Sequence, residues 1–193
     1  MPTLCTCLLL AIAVLPATAA TAPAARPPAE HHVYQTLDEA LGEVFAGADS
    51  TWTESWTPDD DARAALAAQF GAPQPPGEVV FHRARRDGRD LGWAVTTDEI
   101  GLHEPITMLV SVTAGREVGP VRVLVFRESR GGEVRRKRFL AQFLGKTRAD
   151  PLRLTRDIDA VTGATYSSRA VTAGVKRVLA LVDARYPLER SAP

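Results

Sequence analysis

Four runs of β-branched and aromatic residues follow one another between residues 79 and 126, and this pattern constrains the fold more than any other feature. The runs are residues 79–81, 91–95, 106–112 and 121–126. Asp87-Gly88 and the glycine-bounded residues 115–119 separate neighbouring runs, and turns of this kind connect antiparallel strands. Valines at 121, 123 and 125 alternate with other residues, which favours a sheet with one or both faces covered. We predict an antiparallel sheet of about four strands.

Helical patterns lie on both sides of these runs. Apolar residues between positions 33 and 45 recur at the spacing of an amphipathic helix. A second helix is predicted to begin at Thr57-Pro58-Asp59-Asp60, with the Thr57 hydroxyl as its cap, and to end by Gly71. Helical periodicity returns at residues 139–144, and a last apolar stripe follows Ser167 and Ser168, either of which can cap that helix. Two N-terminal helices, then strands, then further helices indicate an α+β fold.

The first twenty residues have the composition of a secretory signal peptide. They carry no charged side chain, contain an apolar run at residues 8–15, and end in small residues, and the run is too short for a membrane span. Both cysteines, Cys5 and Cys7, lie there, so we expect a mature chain without disulfides in the periplasm or at another extracytoplasmic face. The missing Lys or Arg near the N-terminus leaves an uncleaved segment as the alternative. We predict a disordered linker at residues 21–32, an N-terminal helical segment at 33–76 and the main domain at 77–186.

The charge balance gives no reason to expect a nucleic acid as partner. The chain has 23 basic and 23 acidic side chains, so its formal net charge is zero. The basic run Arg135-Arg136-Lys137-Arg138 either docks an acidic redox partner or anionic lipid headgroups, or is a solvated face. We interpret the adjacent His31 and His32 as a solvated pair and not as a metal site, because no second cluster of ligands follows at helical spacing.

The segment with the clearest chemistry is Asp159-Ala160-Val161-Thr162-Gly163-Ala164-Thr165-Tyr166-Ser167-Ser168, directly before the last helix. Its glycine and alanine remove bulk from the loop, and four hydroxyl groups crowd the start of the helix. A helix N-terminus offers unpaired N–H donors and partial positive charge, so a phosphate suits this place. From the residues alone, ordinary helix capping is the commoner use of such side chains.

The stretch from Asp159 to Thr165 resembles the flavinylation motif D-x-x-(S/T)-G-A-(T/S) of FMN-binding domains. These domains occur in the C and G subunits of ion-pumping respiratory complexes, of the NADH:quinone reductase and Rnf types. In that family the last residue of the motif forms a phosphoester with FMN, which a flavin transferase installs from FAD. The resemblance implies that Thr165 is the acceptor, and that Asp159, Thr162, Gly163 and Ala164 are recognised by the transferase and frame the phosphate.

The resemblance covers the chain from about residue 78 to residue 183. Residues 101–106 are similar to the family's turn into a core strand, residues 121–125 to the strand that follows, and residues 128–143 to a segment of small stand-alone members. The chain departs from the anchored subunits because it shows no transmembrane helix.

The resemblance also implies which residues lie near the cofactor. We expect the loop from Leu102 to Ile106, which includes His103 and Glu104, to line the flavin ring. We expect Tyr166 to stack on the ring or shield it, and Ser167 and Ser168 to lie at the phosphate. For His103 the alternative is an ordinary exposed loop histidine. Glu128 and Glu133 either hydrogen-bond the flavin or pair with nearby arginines.

These features predict an exported electron-transfer flavoprotein that carries FMN covalently on Thr165 and exchanges electrons with a periplasmic or membrane partner. We predict no catalytic residue and no metal site, because no convergent set of acid–base groups is visible in the sequence. Two alternatives remain open. One is an exported flavin-dependent reductase component with its own small-molecule substrate, and the other is a non-redox module in which the hydroxyl-rich loop is only a helix cap.

Overall fold

The chain folds around one six-stranded antiparallel sheet. A computed structural model of the protein describes residues 31–70 and 77–187. The strands are β1 (His32–Val33), β2 (Ser50–Trp56), β3 (Val79–Arg86), β4 (Arg89–Ile100), β5 (Pro105–Thr113) and β6 (Val118–Phe126). Their order across the sheet is β1-β6-β5-β4-β3-β2, so each strand from β2 to β5 pairs with the next strand along the chain, and β6 also pairs with β1. The predicted α+β class with an antiparallel sheet is confirmed.

Four α-helices accompany the sheet in the described part of the chain: α1 (Leu37–Val44), α2 (Asp60–Phe70), α3 (Lys137–Leu140) and α4 (Thr165–Arg185). A capping box begins α1, because Thr36 Oγ1 accepts from the Glu39 N–H and the Glu39 carboxylate accepts from the Thr36 N–H. At the start of α2, Asp59 Oδ1 accepts from the Ala62 N–H (2.8 Å), so Asp59 supplies the cap that was predicted at Thr57. Among the residues described, no helix is both long and apolar enough to cross a bilayer.

The prediction of about four strands preceded by two helices was wrong in number and order. Strands β1 and β2 lie in the stretch for which only helices were expected, and β2 separates α1 from α2. The two residues of β1 are too few to show a period. In β2 the half-buried Trp52, Glu54 and Trp56 alternate with exposed residues, and this period of two was the overlooked strand signal. The predicted signal peptide and residues 21–30 of the predicted linker lie outside the described residues.

Helices cover both faces of the sheet. On one face, Val171, Val175 and Val178 of α4 pack into a large core with the strands. On the other face, Ala40 of α1 and the neighbouring Phe45 pack against a smaller set of strand residues, namely Ala84, Ala94, Leu109 and Leu124. Because both faces are covered, the central strand β5 is buried on both sides, and its residues form a nearly continuous apolar run.

Helix α4 crosses its face of the sheet from one end of the strands to the other. Near its middle, an added Cβ on Gly174 would lie 2.6 Å from Met108 Sδ and 3.2 Å from Thr97 Cγ2. At its C-terminal end, Arg116 of the β5–β6 turn donates hydrogen bonds to the carbonyls of Val182 (3.2 Å) and Tyr186. The first turn of α4 therefore lies at the opposite end of the sheet, where β4 ends and β5 begins.

Candidate functional site

Residues 159–164 form a loop that leads directly into α4. Its last four residues close a turn, in which the Ala164 N–H donates to the Val161 carbonyl (2.9 Å). Gly163 has a φ of +76°, a left-handed conformation that favours glycine. Thr162, Gly163 and Thr165 are all exposed. The turn thus explains the glycine of the motif, and it leaves Thr165 accessible at the first position of the helix.

Two side chains hold this loop in place. Gln142 Oε1 accepts from the Asp159 N–H (2.7 Å), and Gln142 Nε2 donates to the Asp159 carbonyl (3.2 Å). Ser168 Oγ accepts from the Val161 N–H (3.1 Å). Gln142 was not predicted to have any role, because it lies 17 positions from Asp159 and no local pattern signals the contact. The loop before Thr165 is therefore fixed by residues on both sides of it in sequence.

The first turn of α4 has no side-chain cap, because its N-cap residue is Ala164. The prediction that Ser167 or Ser168 caps the helix was wrong, since both lie within it and are only 4% and 0% exposed. Within the described residues, the N–H groups of Thr165, Tyr166 and Ser167 have no hydrogen-bond acceptor. Three such N–H groups and the positive end of the helix dipole attract an anion to the vicinity of the Thr165 hydroxyl.

His103 and Glu104 lie in the turn that joins β4 to β5. The carboxylate of Glu128, a residue only 7% exposed, accepts from the N–H groups of His103 (2.6 Å) and Glu104 (3.0 Å). Burial raises the pKa of this carboxyl, but the backbone hydrogen bonds from Glu104, His103 and Leu102 together outweigh burial and leave the pKa below its ordinary value. Glu128 is thus an ionised anchor for the turn. Among the described residues it forms no ion pair with an arginine, which was one of its two predicted roles.

The other residues singled out from the sequence make surface contacts. Tyr166 is about half exposed, and the guanidinium of Arg169 lies 5.8 Å from the centre of its ring. The four residues of the basic run are exposed, and the Arg135 guanidinium lies 4.5 Å from the Tyr34 ring centre. The ring of His32 stacks on Tyr34 with 6.1 Å between ring centres. Over residues 31–70 and 77–187, no three His, Cys, Asp or Glu side chains form a group that could hold a metal ion.

Two hollows of about 790 and 580 Å³ flank α1. The larger is lined by Tyr34, Arg122 and Leu140 among others, and the smaller by Phe45 and His82 among others. Neither is lined by a residue of the segment at 159–168. The candidate site is therefore an exposed helix start that neither of these two hollows reaches.

The fold and the site define an α+β domain with an accessible hydroxyl residue at an uncapped helix start. The family model for the FMN-binding domain matches residues 101–180. These residues include the whole segment at 159–168, and the resemblance to FMN-binding domains predicted from the sequence is confirmed.

Individual proteins are similar to the chain as well. The G subunit of the proton-translocating ferredoxin:NAD(+) oxidoreductase complex of Clostridium ljungdahlii is 30% identical over 111 residues, which are 53% of this chain and 60% of the relative. The chain thus matches less than two thirds of that relative's length. Among solved structures, the C subunit of the Na(+)-translocating NADH-quinone reductase of Parabacteroides distasonis has a TM-score of 0.42 and 16% identity, over 68% of this chain and 78% of that one.

Proposed function

We propose that the protein is an exported electron carrier whose FMN is bound covalently, through a phosphoester, to Thr165. The observation that carries this proposal is the position of Thr165, an exposed hydroxyl residue at the first position of a helix that has no side-chain cap. The residues before it, Asp159, Thr162, Gly163 and Ala164, match the flavinylation motif, and the segment lies within the residues that the FMN-binding domain model matches.

The residues around Thr165 fit a flavin phosphate. The N–H groups of the first turn and the α4 dipole stabilise negative charge beside the threonine. Nothing lies within 4 Å of the position that a Cβ on Gly163 would take, so the turn leaves open space at the phosphate. Asp159 is the one acidic residue of the segment, and its backbone is held by Gln142. A phosphate at this position would therefore have hydrogen-bond donors beside it and room to bind.

Attachment needs a flavin transferase as a partner and FAD as the donor. The Thr165 oxygen forms a bond to the phosphorus of the FMN half of FAD, the diphosphate bond breaks, AMP leaves and the hydroxyl proton is lost. No oxidation state changes in this step. The exposure of Thr165 and of the preceding Thr162 and Gly163 gives a transferase access to the hydroxyl and to the recognition residues.

Covalent attachment suits a carrier that works outside the cytoplasm, because a dissociable cofactor would be diluted after export. FMN supplies one-electron and two-electron transfer when bound, and the chain supplies its attachment and orientation. The related Clostridium protein belongs to a ferredoxin:NAD(+) oxidoreductase complex, which supports exchange of electrons with a partner protein in the periplasm or at the membrane. A reductase with its own substrate would need an enclosed cleft at the flavin, and the two hollows beside α1 lie away from the motif.

The test is co-expression of the chain with a flavin transferase in the periplasm of a bacterial host, followed by denaturing gel electrophoresis. We expect a band with flavin fluorescence that Thr165→Ala abolishes. Thr96→Ala, which changes an exposed threonine of β4, serves as the matched control and keeps the band. A fluorescent band from the Thr165→Ala variant would show that the flavin is attached to another residue. A colourless wild-type chain, beside a control substrate that the transferase does modify, would refute the proposal.

A further inference from the structure

A buried carboxylate holds the turn between β4 and β5 in one conformation. The Gly101 N–H donates to the Glu104 carbonyl (2.9 Å) and closes the turn. Glu128 Oε1 accepts from two of the backbone N–H groups within it. A Cβ on Gly101 would lie 2.7 Å from that oxygen, so the carboxylate fills the space beside the turn. Hydrogen bonds to an ionised acceptor are stronger than neutral ones, and they make this turn a rigid element.

The segment that begins at Glu128 also reaches the first turn of α4. Gly131 has a φ of +93°, and a Cβ there would lie 2.5 Å from Ser167 Oγ and 3.4 Å from Ala164 Cβ. Glycine is required at this position for its conformation and for the close approach. Residues 128–131 therefore contact the β4–β5 turn at one end and the first turn of α4 at the other, and they fix these two elements relative to each other.

Each of these two elements exposes one large apolar side chain. Leu102, within the turn, is 50% exposed, and Tyr166, directly after Thr165, is 53% exposed. A single exposed apolar residue is ordinary on a protein surface. Leu102, however, is held by a rigid turn at the end of the sheet where Thr165 is located, and the faces of an isoalloxazine ring are apolar. Contact between the two would remove apolar surface from water on both sides.

We propose that Leu102 contacts the isoalloxazine ring of a flavin on Thr165, and that Glu128 is the positioning residue that holds Leu102 there. This inference rests on the proposed function, because the ring reaches this surface only when Thr165 carries it. Leu102 shields one part of the ring from water and from soluble quenchers. Glu128 acts through the turn and does not touch the flavin.

Four single variants of the flavinylated full-length chain test the inference. Leu102→Ala and Glu128→Gln change the proposed contact and its support. Leu144→Ala and Glu133→Gln are matched controls, since Leu144 is 51% exposed and Glu133 is an exposed glutamate near Glu128 in sequence. For each variant, intact mass gives the flavin content, iodide quenching gives the accessibility of the ring, and hydrogen exchange reports the N–H groups of residues 102–104.

Leu102→Ala is expected to raise iodide quenching toward that of free FMN and to leave hydrogen exchange unchanged. Glu128→Gln is expected to raise quenching and to speed exchange at residues 102–104 by about tenfold or more, because hydrogen bonds to a charged group are strong. Both controls should match the wild type in both measurements. If Glu128→Gln does not fold, the Leu102→Ala variant still tests the ring contact, because truncation of the exposed Leu102 side chain leaves the turn and the Glu128 carboxylate in place.

Three results would overturn the inference, and they are distinguishable from one another. Equal quenching of Leu102→Ala and Leu144→Ala on a flavin-loaded chain would remove the ring contact and leave the proposed function intact, with a partner protein as the remaining reason for the exposed leucine. Faster exchange in Glu128→Gln without a change in quenching would make Glu128 a structural residue only. Absence of flavin from the wild-type chain would refute the proposed function and this inference together.

Discussion

Gln142 and Asp159 are joined by two hydrogen bonds, in which the side-chain amide of one pairs with both backbone groups of the other (2.7 and 3.2 Å). Gln142 lies in a single 3₁₀ turn, Ala141–Phe143, between the buried Leu140 and Phe143. The loop that precedes Thr165 is thereby fastened to a part of the chain whose neighbouring side chains are in the core. The position of the proposed flavin site depends on a residue outside the motif.

Gln142→Ala should lower the free energy of unfolding by about 1–3 kcal/mol, because its two hydrogen bonds to Asp159 are lost and each contributes about 0.5–1.5 kcal/mol. The longer bond from Gln142 Nε2 to the Phe139 carbonyl (3.4 Å) is lost as well. The substitution should also slow flavin attachment, since the loop before Thr165 is no longer held. Urea unfolding and the rate of appearance of the fluorescent band measure the two effects. Gln69→Ala is the control, because its amide oxygen accepts only an exposed hydrogen bond from Arg148 (3.1 Å). Equal unfolding free energies and equal attachment rates for the two variants would contradict the role of Gln142 in holding the loop.

Glu128 should make stability depend on pH. Its pKa in the folded chain lies below the ordinary value of about 4.3. Burial raises this pKa, but the backbone hydrogen bonds from the turn lower it by more. A carboxyl with a depressed folded pKa stabilises fully above its unfolded pKa, and this stabilisation is lost as the pH falls through the folded pKa. The difference in unfolding free energy between wild type and Glu128→Gln should therefore be constant from pH 7 to about pH 5 and shrink in acid. A difference that stays constant down to about pH 3 would show that ionisation of Glu128 is unimportant.

Gly131→Ala should destabilise the chain more than Gly145→Ala. Both glycines have positive φ, +93° and +73°, so alanine introduces backbone strain of about 1–2 kcal/mol at either position. Only at Gly131 would the new Cβ also collide, at 2.5 Å from Ser167 Oγ, whereas nothing lies within 4 Å at Gly145. Denaturant unfolding of both variants isolates the clash as the difference between them. Equal losses would mean that residues 128–131 and the first turn of α4 are not in close contact.

The ion pair of Glu99 with Arg177 should matter more than any ion pair at the surface. Arg177 of α4 donates to both carboxylate oxygens of Glu99 of β4. The side chains of Arg177 and Glu99 are only 12% and 9% exposed. Glu99→Gln leaves the arginine without a counter-charge, which costs about 3–5 kcal/mol at a buried site. Glu43→Gln, in the exposed pair with Arg122, should have a much smaller effect. Thermal unfolding of the two variants measures the contrast, and similar losses would contradict it.

The parts of the fold that could be predicted are those with a period in the local sequence. Strands β3 to β6 show runs of β-branched residues between recognisable turns, and α4 shows a long apolar stripe. Strand β2 was missed because its exposed positions are Ser and Thr and its inward positions include Glu54, so its alternation is not one of simple hydrophobicity. The cap of α4 was misplaced by three or four residues, because its N-cap is Ala164, which has no capping side chain.

The candidate site could be located from the sequence, but its supports could not. The motif is contiguous, so Thr165 and its neighbours were predicted together. Glu128 reaches the N–H groups of His103 and Glu104 from 25 and 24 positions away, and Gln142 reaches Asp159 from 17. Such contacts depend on how the strands pair and on which end of the sheet a loop occupies, and no local pattern encodes them. The requirement for glycine at position 131 could not be predicted for the same reason, because it follows from the close approach of residue 131 to Ser167.

The most direct measurement of the central claim is the mass of the natural protein, isolated from its own compartment, with peptide mapping of the segment that contains Thr165. We predict a chain that lacks residues 1–20 and carries one FMN, less one water, on the Thr165 side chain. Recovery of that peptide without modification, from cells whose flavin transferase is active on other proteins, would contradict the account.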